Sequence, residues 1–127
     1  MKRSIISSTE APAAIGPYSQ AVRVADTVYL SGQIALDPRS GQMVAGDISA
    51  QARQVFANLA AVADAAGGSL QQAVRIGIFL TDLNDFAVVN QVMQAVLQPP
   101  YPARATVGVA ALPRGARVEA DAILVLG

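Results

Sequence analysis

The residues best suited to chemistry lie near the C-terminus of the chain: Arg104, Thr106, Arg117, Glu119 and Asp121. Successive side chains of a strand point to opposite faces, so Arg104, Thr106 and Gly108 share one side of a strand, and Arg117, Glu119 and Asp121 share one side of the next. If those two strands are neighbours in a hairpin, Arg104 comes close to the acidic pair, and Arg75 of an earlier strand lies on the same face. A guanidinium grips a carboxylate with two parallel N–H bonds, and a nearby carboxylate orients or deprotonates a water. Together these are the minimum for hydrolysing a small anionic substrate. By pattern alone the same residues more often make an interface salt bridge. On the same footing Tyr18 reads as a packing residue, Ser31-Gly32 as a bulge, Asn84-Asp85 as a helix cap, and Asn90 as a residue facing solvent.

What the chain lacks narrows the chemistry. It contains no His and no Cys, which excludes Ser-His catalysis, imidazole proton shuttling, thiolate nucleophiles and ordinary transition-metal sites. Any reaction must rest on Arg, Asp, Glu, Tyr, Ser, Thr or the backbone. Nine basic and nine acidic residues cancel, so there is no net field to draw in nucleic acid or a membrane surface. Residues 1–8 hold no apolar run of signal-peptide length, and no stretch reaches the ~18 apolar residues of a membrane span. The expectation is a cytoplasmic protein.

The elements that must position these residues follow from periodicity. The 127 residues are 53% apolar and only 14% charged, which suits one domain with part of its surface turned to another subunit. Ile5-Ile6, Gln20 to Ala25 and Thr27 to Gln33 read as strands, the last interrupted at Gly32. A helix is expected over Ile48 to Ala66, capped by Asp47 and ended by Gly67-Gly68. Its buried stripe comprises Ile48, Ala52, Val55, Phe56, Leu59, Val62, Ala63 and Ala66. One helical turn at Ser69 to Gln72, a strand over Ala73 to Leu80 and a second helix over Leu83 to Leu97 follow. That helix is expected to bury Phe86, Val89, Met93, Val96 and Leu97. Two strands, Ala103 to Val109 and Ala116 to Leu126, close an α+β sandwich. Two helices cover only one face of such a sheet, yet the last strand is apolar on both sides. A homo-oligomer with its sheets facing one another is the economical answer.

Several segments are similar to one known family. Pro102-Ala103-Arg104-Ala105-Thr106-Val107, Leu112-Pro113 and Val118-Glu119 resemble the C-terminal signature of the RidA/YjgF enamine/imine deaminases. Ala11 to Gln20, Leu30 to Ile34, Asp82 to Asn90 and the helix from Gln51 to Gly67 are similar to the same family, so the likeness spans residues 1–127 as a single RidA-like domain. It implies a chorismate-mutase-like α+β domain, with a six-stranded mixed sheet and two helices on one face. It further implies a homotrimer with clefts between subunits. The implied reaction is hydrolysis of 2-imino acids or their enamine tautomers, such as 2-iminobutanoate or 2-aminoacrylate tautomers, to 2-keto acids and ammonia. No cofactor and no metal are implied.

Residue by residue, the resemblance makes Arg104 the clamp for the substrate carboxylate and Tyr18 a residue of the cleft mouth. Ser31 and Gly32 line the pocket, and Asn90 comes from the neighbouring subunit's side. Asp121 falls where the family commonly carries a glutamate that positions the attacking water, and Thr106 where many members have a cysteine. Asp121 is one methylene shorter than glutamate, and misplacement on the order of 1 Å can cost ~100-fold in rate. Glu119, on the same strand face, is a compensating carboxylate. Two alternatives stay open: a non-catalytic trimer that binds a small anion, and a deaminase of a different, pathway-specific enamine. Nucleic-acid cleavage is disfavoured by the zero net charge, the missing His and the single Lys.

Overall fold

The computed structural model describes residues 2–127. Its strands are β1 (Arg3–Ile6), β2 (Ala21–Val24), β3 (Thr27–Gln33), β4 (Ala73–Leu80), β5 (Ala103–Gly108) and β6 (Val118–Val125), with helices α1 (Ile48–Ala65) and α2 (Phe86–Val96). They form one six-stranded sheet in the order β1-β2-β3-β6-β4-β5. Every neighbouring pair is antiparallel except β4 and β5, which run parallel. A parallel pair cannot be joined by a tight turn, so α2 supplies the crossover between β4 and β5. The mixed sheet with two helices on one face agrees with the sequence reading. None of the helices among the described residues is long and apolar enough to cross a membrane.

The helix layer is where local sequence and packing agree best. The Asp47 carboxylate accepts the Ala50 N–H at 3.0 Å and starts α1. The whole expected stripe, Ile48 to Ala66, is buried. It packs on Val28 and Leu30 of β3, Ile76, Ile78 and Leu80 of β4, and Val118, Ala120, Ala122 and Leu124 of β6. Each large aliphatic side chain removed from water there contributes roughly 1.5–3 kcal/mol before the entropy of ordering it is set against the gain. Asn58, 1% exposed, sits within this apolar stripe. Its amide donates to the Ile34 and Leu36 carbonyls at 3.2 and 3.0 Å, tying the segment after β3 to α1. The opposite face of the sheet stays open, exposing Tyr29, Val107 and Val125.

The second helix differs from expectation. Leu83–Asp85 is a 3₁₀ turn capped by Asp82, whose carboxylate accepts the Asn84 N–H at 2.9 Å. Asp85 does stand at the N-cap position of α2, but its carboxylate makes no capping bond and instead takes Arg117 Nη2 at 3.0 and 2.9 Å. Val89, Val92, Met93 and Leu97 are buried, whereas Phe86 and Val96 are exposed. Phe86 turns instead to Arg104 of the edge strand β5.

Candidate active site

Strand order decides where the chemistry-bearing residues go. In the parallel register Ile76 pairs with Arg104 and Ile78 with Thr106. Since Ile76 and Ile78 are buried beneath the helices, Arg104 and Thr106 lie on the helix-covered face. Across the other ladder Gly77 pairs with Asp121 and Phe79 with Glu119, which puts both carboxylates on the open face. The expectation that Arg104 meets the acidic pair in a hairpin is thus incorrect. Strand β4 separates β5 from β6, and the faces are opposite. Arg75 does share the open face with Asp121. Arg117 does not, because it precedes β6 and its guanidinium turns to Asp85.

Arg104 is exposed and held from the helix side. Its Nη1 donates to Asn90 Oδ1 at 2.5 Å and to the Met93 sulfur at 3.7 Å. Its Cζ stands 5.2 Å from the centre of the Phe86 ring. No carboxylate pairs with it among the described residues, where the only ion pairs are Arg23–Asp26 and Arg117–Asp85. Among the described residues the Nε–Nη2 edge has no hydrogen-bond partner. The surrounding cleft, about 300 Å³, is lined by Asn90, Met93, Gln94, Tyr101, Pro102 and Arg104. Thr106, two residues along β5, has a buried hydroxyl with no hydrogen-bond partner.

A second cleft of about 470 Å³ opens on the other side of the molecule and includes Tyr18, Gly32, Arg114 and Glu119. The loop carrying Tyr18 is anchored by buried Gln20. Its side chain accepts the Ser8 N–H at 2.6 Å and donates to the Pro12 carbonyl at 2.7 Å. Ser31 donates its hydroxyl to the Ser19 carbonyl at 2.5 Å. The β3–β6 register shifts between Leu30 and Gln33, which is the expected bulge at Ser31-Gly32. A Cβ on Gly32 would run into the Glu119 carboxylate, its carboxyl carbon lying only 3.0 Å away. Burial, and secondarily the charge of Asp121, push the Glu119 carboxyl above its ordinary value.

Asp121 lines a third cleft, about 320 Å³, with Tyr29, Arg75, Gly77 and Phe79. Of the two acids, Glu119 therefore accompanies Tyr18 and Gly32, and Asp121 does not. Within one chain the proposed residues stay divided: Arg104, Asn90 and Thr106 on one face, Tyr18, Ser31, Gly32 and Glu119 toward the other, Asp121 apart. Pattern reading missed the part of Phe86, whose apolar spacing marked it as core, and of Arg114 at the rim of the second cleft. The described residues include no group of three or more His, Cys, Asp or Glu arranged to hold a metal.

A family model described as Endoribonuclease L-PSP matches residues 8–126. The chain belongs to this family. Its RidA/YjgF resemblance is the same relationship, seen also in the solved structures. Mouse 2-iminobutanoate/2-iminopropanoate deaminase is 51% identical, over 98% of this chain and 93% of its own length. RidA from Psychrobacter sp. PAMC 21119 is 53% identical and superimposes with a TM-score of 0.94, covering 97% of this chain and 99% of that one. E. coli TdcF, solved with bound serine, is 41% identical with a TM-score of 0.91, covering 98% and 99%.

Proposed function

We propose that this protein hydrolyses 2-imino acids and their enamine tautomers to 2-keto acids and ammonia, in a cleft completed between neighbouring subunits of a homotrimer. The observation that carries this reading is the state of Arg104: exposed, gripped by neutral groups, and with a two-donor edge unused. Such a fork takes a carboxylate bidentately. Relatives near half identity over almost the whole chain bear deaminase names, and a solved neighbour holds serine, a small amino acid with the same carboxylate.

In this reading Arg104 fixes the substrate carboxylate and so aligns the adjacent iminium carbon. A water beside Glu119 attacks that carbon, forming a C–O bond, while Glu119 takes the water's proton. Glu119 passes that proton to the nitrogen and then takes the proton of the adduct's hydroxyl; as the C=O bond forms the C–N bond breaks, and ammonia leaves, carrying off the second proton as ammonium, with the keto acid behind. Iminium carbon is already strongly electrophilic, so orientation and a base suffice and no strong nucleophile is required. Glu119, sharing a cleft with Tyr18 and Gly32, takes the water-positioning role that the resemblance assigned to Asp121. Asp121 acts on it through charge. Ser31 and Tyr18 shape the mouth, and the Thr106 backbone lies along the Arg104 side.

A trimer brings the Arg104 edge of one subunit toward the Glu119 cleft of the next, and the apolar open face supports such an assembly. No cofactor or metal enters this proposal, and the protein works in the cytoplasm. Zero net charge and a single lysine favour a small substrate over RNA. The test is an amino-acid oxidase that supplies the imine, semicarbazide that traps it, and a readout of imine diverted to keto acid. Wild type diverts it and Arg104→Ala does not. If neither does, the reading fails for that imine, and anion binding without turnover or a different enamine replaces it.

A further inference from the structure

Phe86 opens α2 and is 36% exposed, an unusual place for an aromatic ring at a core-spaced position. The ring supports the Arg104 guanidinium, 5.2 Å from Cζ to centroid. Asn90 and Met93, which contact Nη1, stand four and seven residues further along the helix. Residues at this spacing form one stripe on a helix surface. α2 thus presents a ring, an amide oxygen and a thioether to a single guanidinium on the neighbouring strand.

A carboxylate in place of these groups would neutralise the arginine and occupy the donors that a ligand needs. A ring face attracts the cation through its quadrupole and takes no N–H donor. The amide oxygen takes only Nη1, which leaves Nε and Nη2 side by side and pointing away from both. We propose that Phe86 is a positioning residue for Arg104. Its ring sets the plane of the guanidinium, Asn90 sets the rotation within that plane, and the Nε–Nη2 edge is held out for a carboxylate. The consequence for turnover rests on the proposed deaminase reading; the positioning itself does not.

The experiment is ¹⁵N NMR of the Arg104 side chain in wild type, Phe86→Leu and Phe86→Tyr, with KM and kcat measured on the same proteins. In wild type the Nε–H gives a distinct signal displaced by the ring and slow rotation about Nε–Cζ. Phe86→Leu collapses both, and Phe86→Tyr, which keeps the π face, retains them. With an imine substrate Phe86→Leu raises KM about fivefold, the scale of a partly exposed cation–π contact, and Phe86→Tyr stays close to wild type. A guanidinium that already rotates freely in wild type overturns the proposal, as does a Phe86→Leu protein with unchanged Arg104 signals. Either result is read whether or not the protein turns over an imine, so failure of the deaminase reading is separately visible. A purely structural Phe86 would lower Tm in Phe86→Leu and leave the signal and KM unmoved, which also overturns it.

Discussion

The Glu119 carboxylate occupies the space that a Cβ on Gly32 would need. The same relationship recurs one strand over, where a Cβ on Gly77 would meet Asp121 Oδ1 at 2.5 Å. Both carboxylates on the open face of β6 lie across glycines of the flanking strands. Glycine at 32 and 77 is thus explained by what lies opposite, not by backbone conformation.

Gly32→Ala should therefore push Glu119 out of its place in the cleft. Displacement of a general base by about 1 Å costs on the order of 100-fold in rate, while stability should change little, because the atoms in the way are the free end of a flexible side chain. Steady-state kinetics and thermal melts of Gly32→Ala check both. A variant with full activity would show that Glu119 has no part in the reaction.

The pH dependence has a definite sign. Burial first, and then Asp121, raise the Glu119 carboxyl above 4.5, so the folded protein holds this proton more tightly than the unfolded chain. That contribution to stability is fully present below 4.5 and is lost as pH rises through the raised value. Glu119→Gln should flatten the stability profile across this window. Asp121→Asn removes the secondary cause and should move the acidic limb of the activity profile to lower pH. Melting curves and rates measured between about pH 4 and pH 8 test the two variants.

Asp85 and Arg117 fasten the entrance of α2 to the segment before β6. Arg117 binds both carboxylate oxygens, and the side chains are 12% and 43% exposed, respectively. With one partner half in solvent, Asp85→Ala should cost about 1–2 kcal/mol, less than a fully buried pair. That corresponds to a fall of several degrees in Tm, which calorimetry measures.

Asn58→Ala leaves the Ile34 and Leu36 carbonyls without their donor, at a cost of about 1–3 kcal/mol. Ile34 and Leu36 line the Glu119 cleft, so KM should rise alongside the loss of stability. Denaturant unfolding and kinetics on one preparation check the pair of effects.

Periodic features were readable from the sequence because they are local. The α1 stripe and the Asp47 cap depend only on residues within one helix, and the β4 boundaries on one alternating run. Arg104 defeated the same reasoning because its face depends on which strand β5 joins. That is a non-local choice, made by the α2 crossover rather than by alternation within β5. Arg117 was misplaced because β6 starts at Val118, two residues later than the pattern sets it. Alternation did put Glu119 and Asp121 on one face. Which of the two meets Tyr18 is settled by the bulge at Ser31-Gly32, where the β3–β6 register shifts. Phe86 resembled core because spacing does not distinguish a ring packed on aliphatic chains from one packed under a guanidinium.

The central claim is that Arg104 of one subunit and Glu119 of its neighbour serve the same substrate. Mixing subunits of Arg104→Ala with subunits of Glu119→Gln tests it most directly. Each variant alone should be inactive, and randomly mixed oligomers should regain about a quarter of wild-type deaminase activity, since about one neighbouring pair in four unites both intact residues. Mixed oligomers that stay as inactive as their parents would contradict the claim, because the two residues would then have to act within one chain.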